Sequence, residues 1–189
     1  MNTKLNIVLI AGSNRRNATS TKLLRYMGEA LRKRGANVKL IDLYETPVPL
    51  YSPDAEETDA NTEAMVRTVG EADAIVLATP EYHGSISGVL KNALDYMGSA
   101  EFSGKPVLSV SSSGGAVGVS SLTHLQAIVR NLHGVNSPEW LSLGGDARHF
   151  AADGSPADAA VRQRVERTLD SLLRLAELLR PNAAGVKIG

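Results

Sequence analysis

The chain has 189 residues, within the range of one domain, and can bury about 70% of the surface that its unfolded form exposes. Twenty Lys and Arg balance twenty Asp and Glu, and no long basic run occurs, so nucleic-acid binding is not supported. Cysteine is absent, which removes disulfide frameworks, thiolate nucleophiles, iron–sulfur clusters and cysteine-based zinc sites and fits a cytoplasmic location.

The first apolar run, residues 5–11, is too short for a leader or a membrane span and reads as a strand buried on both faces of a parallel sheet. A polar loop leads into a helix over residues 19–34, with Leu23, Leu24, Met27, Ala30 and Leu31 on one stripe and Gly35 as its stop. The cluster Arg32, Lys33 and Arg34 complements the dipole at that helix's end. Residues 38–43 form the second strand, and the proline-bearing stretch 46–57 is a long loop. A helix with sparse apolar positions follows over 59–71, then a third buried strand over 73–79. A short helix covers 90–97, a fourth strand 106–110, a helix 120–132, a weak fifth strand 139–143 and a final helix 158–179.

Strands joined by crossover helices predict an α/β fold, a doubly wound parallel sheet of five strands in the order 2-1-3-4-5 with helices on both faces. No repeat, low-complexity tract or linker divides the chain, so residues 1–189 are expected to form a single domain. In such a sheet ligands bind beyond the carboxyl ends of the strands, where strand order reverses. The loops after strands one, three and four are therefore the informative ones.

The first, AGSNRRNATST (11–21), joins a strand to a helix and is rich in hydroxyls, with two arginines. Free amides at a helix N-terminus suit a phosphate, Ser13, Ser20 and Thr21 can donate, and Arg15 or Arg16 can neutralise a dianion. The competing reading is a plain cap with the arginines in solvent. Neither the dinucleotide glycine pattern nor a Gly-Lys-Ser/Thr ending is present, which favours a phosphate monoester. The second, TPEYHGSISG (79–88), offers the Pro80 ring and Tyr82 as a surface for a flat aromatic ligand, where a plain connector would gain nothing from them. The third, SSSGGAVG (111–118), has glycines that let backbone approach a ligand, or simply a flexible loop. On this topology all three converge on one crevice.

The segment PEYHGSISGVLKNALDYM (80–97) resembles the PEY(N/H)-x-S…G-x-LKN-A-(I/L)-D stretch of the NADPH-dependent FMN reductase family, flavodoxin-like flavoenzymes that include azo-, quinone- and chromate-reducing members. GSNR at 12–15 is similar to that family's phosphate loop, and 111–118 to its third flavin loop. The resemblance covers nearly the whole chain and implies FMN as cofactor, with its phosphate on Ser13, Arg15, Asn17, Ser20 and Thr21. It implies ring and ribityl contacts from Pro80, Glu81, Tyr82, His83, Gly84 and Ser85, and from Ser111, Ser112, Ser113 and Gly114. Many members carry Ser three residues after the Arg, where this chain has Ala18, so Ser20 or Asn17 is expected to take that role. His83 stands where Asn is common.

The implied activity is hydride transfer from NADPH or NADH through FMN to a small acceptor (flavin, quinone, azo compound or metal oxyanion) by ping-pong kinetics. The cofactor carries that chemistry, so no side chain is given an essential proton-transfer role and no metal site is expected. His83 either donates to the cofactor or acceptor or faces water. His124, His133 and His149 lack metal-like spacing and read as surface or helix-packing residues. Asp42 would suit a dinucleotide ribose, but the glycine fingerprint is missing. Asp95 and Tyr96 read as packing or subunit-contact residues, and the family implies a homodimer or homotetramer. The rival from another class is a flavodoxin, an electron carrier without turnover, but such carriers dock through acidic surfaces and this chain is neutral. A hydrolase using Ser112 lacks the G-x-S-x-G elbow.

Overall fold

The computed structural model describes residues 4–180. β1 (Asn6–Ala11), β3 (Ala74–Pro80) and β4 (Pro106–Ser112) form the centre of the sheet, and β2 (Asn37–Asp42) forms one edge. All pairings are parallel. β3 and β4 are buried along their whole length because helices cover both faces, which is why β3 reads as a nearly continuous apolar run, while β4 buries Ser109, Ser111 and Ser112 as well. β2, with one neighbour, alternates between exposed and half-buried positions until Ile41.

Side-chain alternation divides the core in two. Ile7, Leu9, Val76, Leu108 and Val110 face one layer, covered by α1 (Thr19–Lys33) and α6 (Ala159–Leu179). Val8, Ile10, Ile75, Leu77 and Val107 face the other, covered by α2 (Ala60–Gly70), α3 (Gly88–Asp95) and α5 (Val119–Asn131). A four-residue helix, α4 (Ser99–Phe102), sets Phe102 fully into that second layer.

The order is β2-β1-β3-β4-β5, as expected, with one correction at the far edge. The fifth strand is two short segments. β5 (Val135–Asn136) pairs with the start of β4, and β6 (Leu141–Leu143) with its end. Pro138 lies between them and has no N–H to give the ladder, and the last bond before it runs from Ser137 N to Val107 O. From β1 the chain reaches β2 through α1 on one face, and from β2 it crosses to β3 through α2 on the other. The order therefore reverses between β1 and β3, and the carboxyl ends of these strands open outward there.

Candidate functional site

The turn after β1 is shaped by a steric requirement. Gly12 N donates to Ala78 O at 2.8 Å, and a Cβ at Gly12 would lie 2.5 Å from Leu90 Cβ and 2.9 Å from that carbonyl. Only glycine lets the chain cross so close to β3 and α3. Ser13 is buried and its Oγ accepts from Arg15 N. Ala18 N then closes a turn onto Arg15 O, with Asn17 at φ 55, a left-handed conformation that asparagine tolerates.

α1 starts from Ala18, which supplies no side-chain cap, and its first turn holds no acidic residue. By contrast, α2 and α6 are capped by Asp59 and Asp158. Ser20 Oγ and Thr21 Oγ1 are enclosed at the head of α1 without a hydrogen-bond partner. A buried hydroxyl left in that state costs about 1–3 kcal/mol, and phosphate oxygens would supply the missing acceptors. The open dipole end and these hydroxyls fit a phosphate monoester. Ala18 has no side-chain acceptor, so the helix head lacks a side-chain cap.

The two arginines differ. Arg16 Nε donates to Tyr44 OH at 3.1 Å and its guanidinium lies 5.8 Å from that ring's centre. The Arg15 side chain is exposed and has no partner among the described residues. Asp42 pairs with Arg25 at 3.1 Å and accepts from Tyr44 N, so it closes the end of β2 and does not face the crevice as a ribose ligand.

β3 ends at Pro80, which pairs in register with Ser112, and beyond it Glu81 N donates to Ser112 O at 2.7 Å. Tyr82 and Ser85 exchange two backbone bonds of 3.0 Å around His83 (φ 53) and Gly84 (φ 74). Positive φ at both central residues marks a type I′ turn, which selects residues tolerant of left-handed backbone. His and Asn both qualify, so the turn itself gives a backbone reason for His83. Its side chain is exposed, and Tyr82 is 48% exposed. The Glu81 carboxylate turns away from the opening: its Oε2 accepts from Ser121 N at 2.9 Å. It thereby caps α5, whose own cap residue, Gly118, has no side chain to offer.

Ser111 and Ser112 belong to β4, so the third loop starts later than the sequence suggested. Ser111 Oγ donates to Gly118 O at 2.9 Å, and Ser142 Oγ in β6 accepts from Gly118 N at 2.7 Å. Ser113 N reaches Leu143 O, and Gly145 N reaches Gly115 O. A Cβ at Gly144 would fall 2.1 Å from Ala116 O. β6 and the two glycines after it therefore seat the loop, leaving Gly114 exposed at its rim.

Direct bonds tie the three turns together. Ser87 Oγ donates to Gly12 O at 2.5 Å and Ser87 N to Thr79 Oγ1 at 2.9 Å, joining the first turn to the second. Glu81 joins the second to the third. Ser87, Ser142 and His124 were not among the sequence candidates. Their roles depend on partners 75, 24 and 39 positions away, which no local pattern carries. A concavity of about 920 Å³ lies elsewhere, along α1, and meets these turns only at Asn17. Arg25, Arg32 and Arg34 within it are paired with Asp42, Glu29 and Glu166, so it is a solvated groove.

The fold defines a flavodoxin-like α/β protein, with an uncapped helix head at α1 next to two closely bonded turns. Over residues 5–148 the chain matches the model of the NADPH-dependent FMN reductase family, and it belongs to that family. It is 36% identical over 153 residues to an FMN-dependent NADPH-azoreductase of Staphylococcus aureus, covering 78% of this chain and 81% of that one. Among solved structures it resembles the flavoenzyme NAD(P)H:(acceptor) oxidoreductase of Paracoccus denitrificans (TM-score 0.80, 22% identity, 93% and 98% of the two chains). It also resembles an NADH:FMN oxidoreductase in its apo form (TM-score 0.75, 21% identity, 95% and 92%). Family membership makes the chain an FMN-dependent NAD(P)H oxidoreductase, not a flavodoxin-type carrier. No helix among the described residues is long and apolar enough to cross a membrane.

Proposed function

We propose that the crevice holds FMN with its phosphate at the head of α1 and its ring between the turns after β3 and β4, and serves NADPH or NADH and a small acceptor in turn. The observation that carries this is the uncapped helix head with two orphaned hydroxyls and an unengaged Arg15, bonded through Gly12 and Ser87 to the ring-side turn. Bound FMN supplies the hydride chemistry. The chain's own part is to hold and orient. Amides at the head of α1, Ser13, Ser20 and Thr21 bind the phosphate, Asn17 shapes the turn beside them, and Arg15 balances its charge. Pro80, Tyr82 and the backbone from Glu81 to Ser85 flank the ring on one side, and Ser111, Ser112, Ser113 and Gly114 on the other.

Residues 80–88 and 111–119 contain no Lys or Arg, and their only formal charge at neutral pH, on Glu81, is spent on α5. An oxyanion would find no counter-charge there, which favours an uncharged planar acceptor such as a quinone or azo compound. We place the protein in the cytoplasm as a single-domain homodimer or homotetramer. Leu50 (86% exposed) and Tyr51 (40%), held on α3 through Asn92, offer apolar surface for a subunit contact. Initial rates over a matrix of NADPH and quinone concentrations test the shared opening. Parallel double-reciprocal lines are expected, and lines that intersect would contradict it.

A further inference from the structure

The type I′ turn between Tyr82 and Ser85 is a single pair of backbone bonds, and its one large apolar residue, Tyr82, is half in solvent. An isolated two-stranded element of this kind is marginal by itself in water, so something outside the turn must hold it. α5 does so at two points. Glu81 Oε2 accepts from Ser121 N at 2.9 Å. Between them Gly84 leaves room: even an added Cβ would only reach Ser120 Cβ at 4.0 Å. Ser85 Oγ and His124 Nδ1 are hydrogen-bonded at 2.9 Å, whichever of the two carries the proton. Ser120 and His124 are four residues apart and so lie on one stripe of α5.

We infer that His124 is a positioning residue, which acts through Ser85 to fix the Tyr82–Ser85 turn against the flavin edge. This rests on the functional reading above, because the turn is positioned for something only if the ring binds beside it. His124 is exposed and its Nε2 has no partner among the described residues, so packing does not explain the residue. The Ser85 contact is the one polar interaction its ring makes among them. The geometry also divides the turn's two anchors: Glu81 secures the base by capping α5, and His124 secures the tip.

The test compares His124→Ala, His124→Asn, Ser85→Ala and the His124→Ala/Ser85→Ala pair, reconstituted with FMN. Alanine is the best helix former and His124 is exposed, so folding should survive, and thermal melts verify this. Asn places a hydrogen-bonding atom close to where Nδ1 stood. His124→Ala and Ser85→Ala should each raise the FMN dissociation constant roughly three- to tenfold, the span of one hydrogen bond, and alter the shape of the visible flavin band. His124→Asn should stay within about twofold of wild type, and the double variant should be no worse than either single one. A folded His124→Ala protein with wild-type affinity and spectrum would overturn the inference alone. So would additive losses in the double variant. A wild-type protein that takes up no FMN would overturn the functional reading and this inference with it.

Discussion

Ser87 Oγ donates to the carbonyl of Gly12 at 2.5 Å, joining residues 75 positions apart, while also accepting from Leu90 N as the cap of α3. One buried hydroxyl thus starts a helix and ties the turn after β1 to the turn after β3. Ser87→Ala should remove both bonds and leave the Gly12 carbonyl unpaired, at about 1–3 kcal/mol. Urea unfolding measures that loss. FMN affinity should fall with it, because the phosphate turn and the ring-side turn are no longer fixed to each other.

Gly12→Ala tests the same junction by steric means. The added Cβ meets Leu90 Cβ at 2.5 Å and Ala78 O at 2.9 Å, both on rigid elements, and should cost about 1–3 kcal/mol. Leu90→Ala should not rescue it, because alanine keeps the Cβ that clashes. A neutral Gly12→Ala variant in thermal denaturation would contradict this packing.

The arginines after β1 give an asymmetric pair. Arg15 has no side-chain partner among the described residues, whereas Arg16 is committed to Tyr44. Arg15→Ala should therefore weaken FMN binding by about 1.5–3 kcal/mol, roughly ten- to a hundredfold. Arg16→Ala should change it much less. Fluorescence titration of the apoproteins with FMN separates the two.

Lys105 gives a pH signature far from the crevice. Its ammonium donates to Val69 O and Gly70 O at the end of α2, and burial pulls its pKa below the ordinary 10.5. Between that lowered value and 10.5 the unfolded chain binds more protons than the folded one, so this group's contribution to stability rises with pH in that window. Relative to Lys105→Met, the wild type should gain stability as pH climbs from neutral toward 10.5. A difference in urea midpoints that stays flat with pH would argue against it.

The centre of the fold was legible because β1, β3 and β4 are buried on both faces and are therefore largely apolar. The outer edge was not. β5 and β6 have two and three residues and owe their pairing to β4, so neither leaves a periodic trace, and Leu141–Leu143 alone suggested a longer strand. α4 is a single turn, too short for any periodicity. Among the candidate residues, the tight turn after β1 and the hydroxyls in the first turn of α1 were readable, since free helix amides and small residues have a local signature. Glu81 was expected to meet the cofactor through its backbone, and the bond from its carboxylate to α5 has no trace in the sequence. His124 was read as a surface or helix-packing residue. Both depend on where α5 docks, which only the assembled sheet determines. His83 was weighed as a hydrogen-bond donor, and the left-handed turn it occupies supplies a backbone reason for the residue.

The central claim is that these turns hold FMN where a nicotinamide can reach it. The most direct measurement is the visible spectrum of the FMN-reconstituted wild type under anaerobic conditions, before and after NADPH is added alone. The account predicts a yellow protein whose flavin band bleaches on mixing and returns when a quinone is supplied. A protein that stays colourless with added FMN, or a bound band that neither NADPH nor NADH diminishes, would contradict it.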